Sequence, residues 1–139
     1  MAPAKPNSKT TRAADDMFSN EERAAMQATI RERKRAARLS PEEERAAGEA
    51  DVQAAIAGMP DDDRAVAARI HQIVLATAPR LAPRTFYGMP AYAKDGKVLC
   101  FFQSKAKFKL RYSTFGFQPP ASLDDGEMWP TSFAVIGLY

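Results

Sequence analysis

Two apolar runs, residues 85–93 and 98–103, flank Lys94-Asp95-Gly96-Lys97, and this short polar break narrows the possible folds more than any other stretch. A two-residue hairpin turn needs positive φ at both central positions, which Asp-Gly tolerates, so the segment predicts an antiparallel hairpin. With Asp95 and Gly96 central, Ala93 faces Val98, Tyr92 faces Leu99 and Ala91 faces Cys100. Both faces then carry apolar groups, as expected of a strand inside a sheet. Pro90 has no N–H to donate, which places its strand at an edge or a bulge.

Further along, Lys105, Lys107, Lys109 and Arg111 alternate with Ala106, Phe108, Leu110 and Tyr112. That period of two predicts a half-buried strand with a cationic outer face. Pro119-Pro120 and Asp124-Asp125-Gly126 mark a loop, and residues 132–139 read as a last strand.

The chain before Pro83 has helical signals. Residues 1–17 are polar and proline-bearing, a composition that predicts a disordered tail. Ser19 and Glu22 form a capping box for a helix running to about residue 39. It has few large apolar positions beyond Met26, Ile30 and Leu39, so it reads as a charged extension. Ser40-Pro41-Glu42-Glu43 repeats the start signal, predicting a short helix to about Gly48 and another through Val52, Ile56 and Met59. Asp61, Asp62 and Asp63 then open the main core helix, with Val66, Ile70, Ile73 and Val74 on one side and an end near residue 78, before Pro79. Together these elements predict an α+β fold, an antiparallel sheet with helices packed on one face. The expected organisation is a tail over 1–17, a charged helical extension over 18–48 and a domain over 49–139.

No apolar run approaches the roughly 20 residues that cross a bilayer, and the first 30 lack a secretory core, so a cytoplasmic protein with no membrane partner is expected. A single cysteine, Cys100, excludes an internal disulfide, and a single histidine, His71, leaves no set of soft zinc ligands. Cys100 lies among Leu99, Phe101 and Phe102, where a thiol behaves as a small hydrophobe. His71 falls at the flank of the core stripe, where a structural role accounts for it. With no nucleophile and base to pair, the chain reads as non-enzymatic.

Charge is the remaining signal. The net charge of +3 is modest but unevenly spread. Lys105, Lys107, Lys109 and Arg111, with the Arg-rich stretch 31–38, are the candidate anion or nucleic-acid contacts, with Phe101, Phe102 and Phe115 as stacking groups. Lysines on an outer strand face also guard against edge pairing, which explains them without a ligand. Asp61, Asp62 and Asp63 are candidate hard-cation ligands, although carboxylates in a first turn also oppose the helix dipole. Tyr87, Met89, Pro90, Tyr92 and Phe101 are the candidate lining of a small pocket beside the hairpin. Trp129-Pro130 reads as a packing anchor.

Tyr87-Gly88-Met89-Pro90-Ala91-Tyr92, followed by Gly96-Lys97 and Cys100-Phe101-Phe102, resembles the signature hairpin of the YdhG-like domain of unknown function. That family belongs to the YjbR/CyaY-like superfamily, whose fold is that of frataxin. The resemblance covers roughly residues 50–136 and implies a frataxin-like sheet with helices on one face. Some relatives are described as frataxin-like iron chaperones, so iron is the cofactor the resemblance implies, at Asp61, Asp62 and Asp63 here. Two departures stand out: relatives usually carry a His where Lys105 to Arg111 stand, and they continue into a C-terminal helix that covers the sheet. The second departure predicts self-association through an uncovered sheet face. Sedimentation checks this, with a well-behaved monomer counting against it.

Overall fold

The computed structural model describes residues 19–36 and 39–138, and the tail expected over 1–17 lies outside them. Three long helices lead: α1 (Asn20–Ala36), α2 (Pro41–Ala57) and α3 (Asp61–Thr77). Strands β1 (Ala82–Phe86), β2 (Met89–Lys94) and β3 (Lys97–Gln103) follow, then a one-turn helix α4 (Lys105–Phe108), then β4 (Ser113–Phe117) and β5 (Ser132–Val135). The strands form one antiparallel sheet in the order β1-β2-β3-β4-β5, with the helices on one side. The α+β class expected from the sequence is the one observed. Among the described residues no helix is long and apolar enough to cross a membrane.

Local signals set the helix starts. The Ser19 hydroxyl accepts the Glu22 N–H at 3.1 Å, and Ser40 exchanges bonds with the Glu43 N–H and carboxylate at 3.2 and 2.9 Å. Each serine hydroxyl thus caps a first-turn N–H, which is the serine half of the expected capping box. The break expected at Gly48 does not occur: α2 runs straight through it, so the line drawn between residues 48 and 49 falls inside one helix. Tertiary packing explains the glycine. A Cβ on Gly48 would lie 2.0 Å from the Pro83 carbonyl oxygen, so only glycine lets α2 approach the backbone of β1 this closely.

Below Gly48, Val52 and Ile56 continue the same buried stripe at four-residue spacing. They join Met59, Val66, Ala67 and Phe102 in one apolar cluster. A second cluster gathers Val74, Leu81, Tyr92 and Cys100, and Ile70 touches both. His71, expected at the flank of α3, is buried, whereas Ile73 is 46% exposed and leaves the expected stripe.

The sheet departs from expectation at several points. The run expected as one strand over 85–93 contains a tight turn, with Tyr87 at φ 51° and Gly88 at φ 77°, the signature of a hairpin turn of the Asp95-Gly96 type. Ala93 pairs with Val98 as expected, but a bulge follows, so Tyr92 pairs with Cys100 and Ala91 with Phe101. One extra residue, Leu99, therefore turns Tyr92, Cys100 and Phe102 to the same side, where the clusters bury all three. Pro90 lies on the second strand, opposite Thr85, not at an edge or at that bulge. Pairing with β3 starts only at Ala91.

Residues 105–112 are not a strand. Ser104 accepts the Lys107 N–H at 3.4 Å and Lys109, at φ 56°, ends the turn, so Lys105–Phe108 is helical. The Lys/apolar alternation suited a strand, but a cap at Ser104 and contacts from α3 select the helix. β5 stops at Val135, short of the end expected for it, and Met128, Phe133, Ile136 and Leu138 around it are exposed.

Gly48→Ala should destabilise the protein by about 2 kcal/mol, because overlap with β1 outweighs the helix gain that Ala normally brings. Gly58→Ala, whose Cβ would meet nothing nearer than 3.7 Å, should be neutral or slightly stabilising. Thermal unfolding of the two variants checks the contrast.

Candidate functional site

The site begins at Asp63, in the first turn of α3. Its side chain is 1% exposed, and its oxygens accept from the Ser104 hydroxyl at 2.6 Å, the Ala106 N–H at 3.2 Å and the Lys105 ammonium. Asp62 also accepts from Lys105, at 2.9 Å, and Asp61 pairs with Arg64. Thus, of the acidic triplet read from sequence as a dipole complement or a cation site, Asp62 and Asp63 hold α4 against α3, while Asp61 bonds within its own helix. Burial pushes the Asp63 carboxyl up, but the Lys105, Ser104 and Ala106 donors outweigh it and hold the group below its usual value. Lys105 is raised by its bonds to Asp63 and Asp62.

α4 in turn aims Lys107 at the β1–β2 turn. The Lys107 ammonium donates to the Gly88 carbonyl at 2.9 Å. A Cβ on Gly88 would lie 2.4 Å from Lys107 Nζ, so glycine here supplies both the positive φ and the room for the amine. Desolvation lowers the Lys107 pKa, and the field of Glu32 partly offsets it. Beside this contact opens a cleft of about 440 Å³, bounded by Met59, Met89, Pro90, Phe102, Ser104 and Lys107. A second cleft of about 430 Å³ lies across Met89, where Met26 of α1 faces Tyr87, Phe108 and Leu110. Both volumes fall in the range that holds a small organic ligand.

Of the residues expected to line a pocket, Met89 and Pro90 line the first cleft and Tyr87 the second. Tyr92 is fully buried elsewhere, and Phe101 covers Gly116 with its ring 6.0 Å from Phe86. The four expected anion contacts are dispersed. Lys105 is held by Asp62 and Asp63, Lys109 pairs with Glu21 at 2.9 Å, and Arg111 stacks on Tyr112 at 5.1 Å, which leaves Lys107 at the cleft. Phe102, Met59 and Ser104 were not foreseen as cleft residues, because they reach it from three separate elements. The sequence signal that pointed there was Gly88, a glycine between two strand-forming runs.

The buried histidine serves a different contact. His71 Nε2 lies 2.9 Å from Glu49 Oε1, and Nδ1 lies 2.9 Å from the Tyr92 hydroxyl. A carboxylate only accepts, so Nε2 carries a proton, while Nδ1 and the Tyr92 hydroxyl share a bond that either atom can donate. Burial raises the Tyr92 phenol above its ordinary range and pushes the Cys100 thiol up to about 11. Cys100 is thus a buried, protonated thiol, and both nitrogens of His71 are engaged away from it. Among the described residues no three His, Cys, Asp or Glu side chains come together as a metal site would need. No family model, curated protein or solved structure matches the chain.

Asp63→Ala should cost about 3 kcal/mol, since it leaves Lys105 beside an empty buried position and the donors of Ser104 and Ala106 unpaired. The folded pKa of Asp63 lies below the unfolded one. Its contribution is therefore complete above the ordinary carboxylate value of about 4 and fades as pH falls through the folded value. Urea unfolding against pH should show a smaller acid loss in Asp63→Asn than in the wild type.

Proposed function

We propose that this chain is a small-molecule-binding protein whose ligand presents an anionic group to Lys107 and rests on Met59, Met89, Pro90 and Phe102. One observation carries the reading: the exposed Lys107 ammonium donates to the Gly88 carbonyl, lies 5.5 Å from the Phe108 ring centre and has no ion-pair partner among the described residues. An ammonium held below its ordinary pKa gains most from a nearby negative charge, and an anion arriving through the cleft supplies it. The apolar floor then favours a ligand with a hydrocarbon or aromatic body.

The resemblance to the YdhG-like hairpin supports the same location, since Tyr87, Gly88, Met89 and Pro90 carry it. Binding without catalysis, in the cytoplasm, belongs to the same proposal. The iron that the resemblance implied is set below an organic anion, because Asp62 and Asp63 are engaged by Lys105.

Amide chemical shifts test the idea with butyrate and 3-phenylpropionate, each against its neutral carboxamide. Both acids should shift Gly88, Met89 and Lys107 saturably, the phenyl acid more tightly. The carboxamides should bind about tenfold more weakly, and Lys107→Met should abolish that preference, a difference of about 1.4 kcal/mol. Acids that leave the cleft amides unmoved, or an acid preference that persists in Lys107→Met, would overturn the assignment. So would ferrous iron binding in calorimetry that disappears when Asp61, Asp62 and Asp63 become Asn.

A further inference from the structure

Glu32 on α1 reaches across to β1, where the Thr85 hydroxyl donates to its Oε1 at 2.6 Å. Its other oxygen, Oε2, is closed off from solvent and, among the described residues, is the one buried side-chain polar atom without a hydrogen-bond partner. A side-chain oxygen enclosed without a donor is rare enough to need a reason.

The surroundings supply one. Glu32 lines a cavity of about 20 Å³ beside Gly48 and Arg84, which admits a water molecule at most. It also lines an open cleft of about 380 Å³ with Ala28, Arg31, Asp51, Ala54 and Gly88. The Glu32 side chain stands in the wall of that cleft, with Ala28 and Ala54 among its other lining residues. Arg31 borders the same space but makes no ion pair with Glu32, so it does not satisfy Oε2.

We infer that this cleft is a subsite for a small molecule bearing a protonated primary amine, which donates to Glu32 Oε2. An ammonium is opposite in charge to the Glu32 carboxylate and offers three N–H donors, one of which can go to Oε2. The oxygen is enclosed, so the donor reaches it as the carboxylate rotates about its last torsion, which in Glu is broad and soft.

The amine cleft and the Lys107 cleft both touch Ala54 and Gly88. A ligand with an amine at one end and an acid at the other therefore fits across the turn. The amine subsite goes beyond the anion reading and rests on its own observation, so either can fail alone.

Amide shifts with n-butylammonium, butyrate and 6-aminohexanoate separate the two. n-Butylammonium should shift Glu32, Ala54, Thr85 and Gly88 saturably where butyrate does not, and 6-aminohexanoate should bind more tightly than either. Glu32→Gln, which keeps an acceptor for Thr85, should weaken n-butylammonium by about tenfold, consistent with loss of a charge-assisted bond, and leave butyrate unaffected. Should that variant not fold, Glu32→Asp, which draws the carboxylate back by one methylene, must show the same loss. n-Butylammonium that moves none of these amides overturns the inference, as does undiminished binding by the folded variant. Equal shifts from butyrate at Glu32 and Thr85 overturn it too.

Discussion

The buried carboxylate of Asp63 carries the rest of the arrangement. It sits in the first turn of α3 yet bonds nothing in that turn's backbone; instead it gathers Ser104, Lys105 and Ala106 from the chain that leaves β3. A charge removed from water survives only when its oxygens are filled, and here three donors fill them. The consequence is geometric: the chain leaving β3 is bent into one helical turn, not a fourth strand. That turn sends Lys105 back to α3 and Lys107 forward to Gly88.

Two glycines set how closely the layers meet. Gly48 lets α2 lie against the backbone of β1 at Pro83, which seats Val52 and Ile56 over the sheet. Gly88 lets the β1–β2 turn close and leaves room for an amine against its carbonyl. A β-bulge does the complementary work inside the sheet, putting Tyr92, Cys100 and Phe102 on the helix side together. With that face filled, three clefts open at the end of the sheet around the Tyr87-Gly88 turn, and another of about 380 Å³ opens at the opposite end, beside Asp95 and Gly96.

The charges around the turn are divided in a way that net charge hides. Lys105 and Lys109 are neutralised by carboxylates from α3 and α1. Lys107 and Glu32 lie on different elements, sense one another's field without forming an ion pair, and each lines a cleft. A protein that needed these groups only for stability would gain by pairing them. Their separation by the turn is the feature on which the proposed ligand site rests.

Much of this was legible in the chain. Capping residues at Ser19 and Ser40, the Asp95-Gly96 turn, the end of α3 before Pro79 and the α+β order all follow from local chemistry, because caps and turns involve neighbours only a few residues apart. Pocket residues were legible in part: Met89, Pro90 and Tyr87 reached clefts, while Tyr92 and Phe101 went to opposite faces of the sheet. What sequence could not decide was every feature set by contacts between distant elements. Lys105 to Arg111 alternate as a strand would, and only Asp63, 41 residues before Ser104, makes their first turn helical. Gly48 resembles a helix breaker until Pro83 is seen beneath it, and one extra residue at Leu99 inverts a pairing that the turn alone had specified. Local signals chose the elements of this protein; which side chains met, and which charges stayed apart, was decided by packing across the fold.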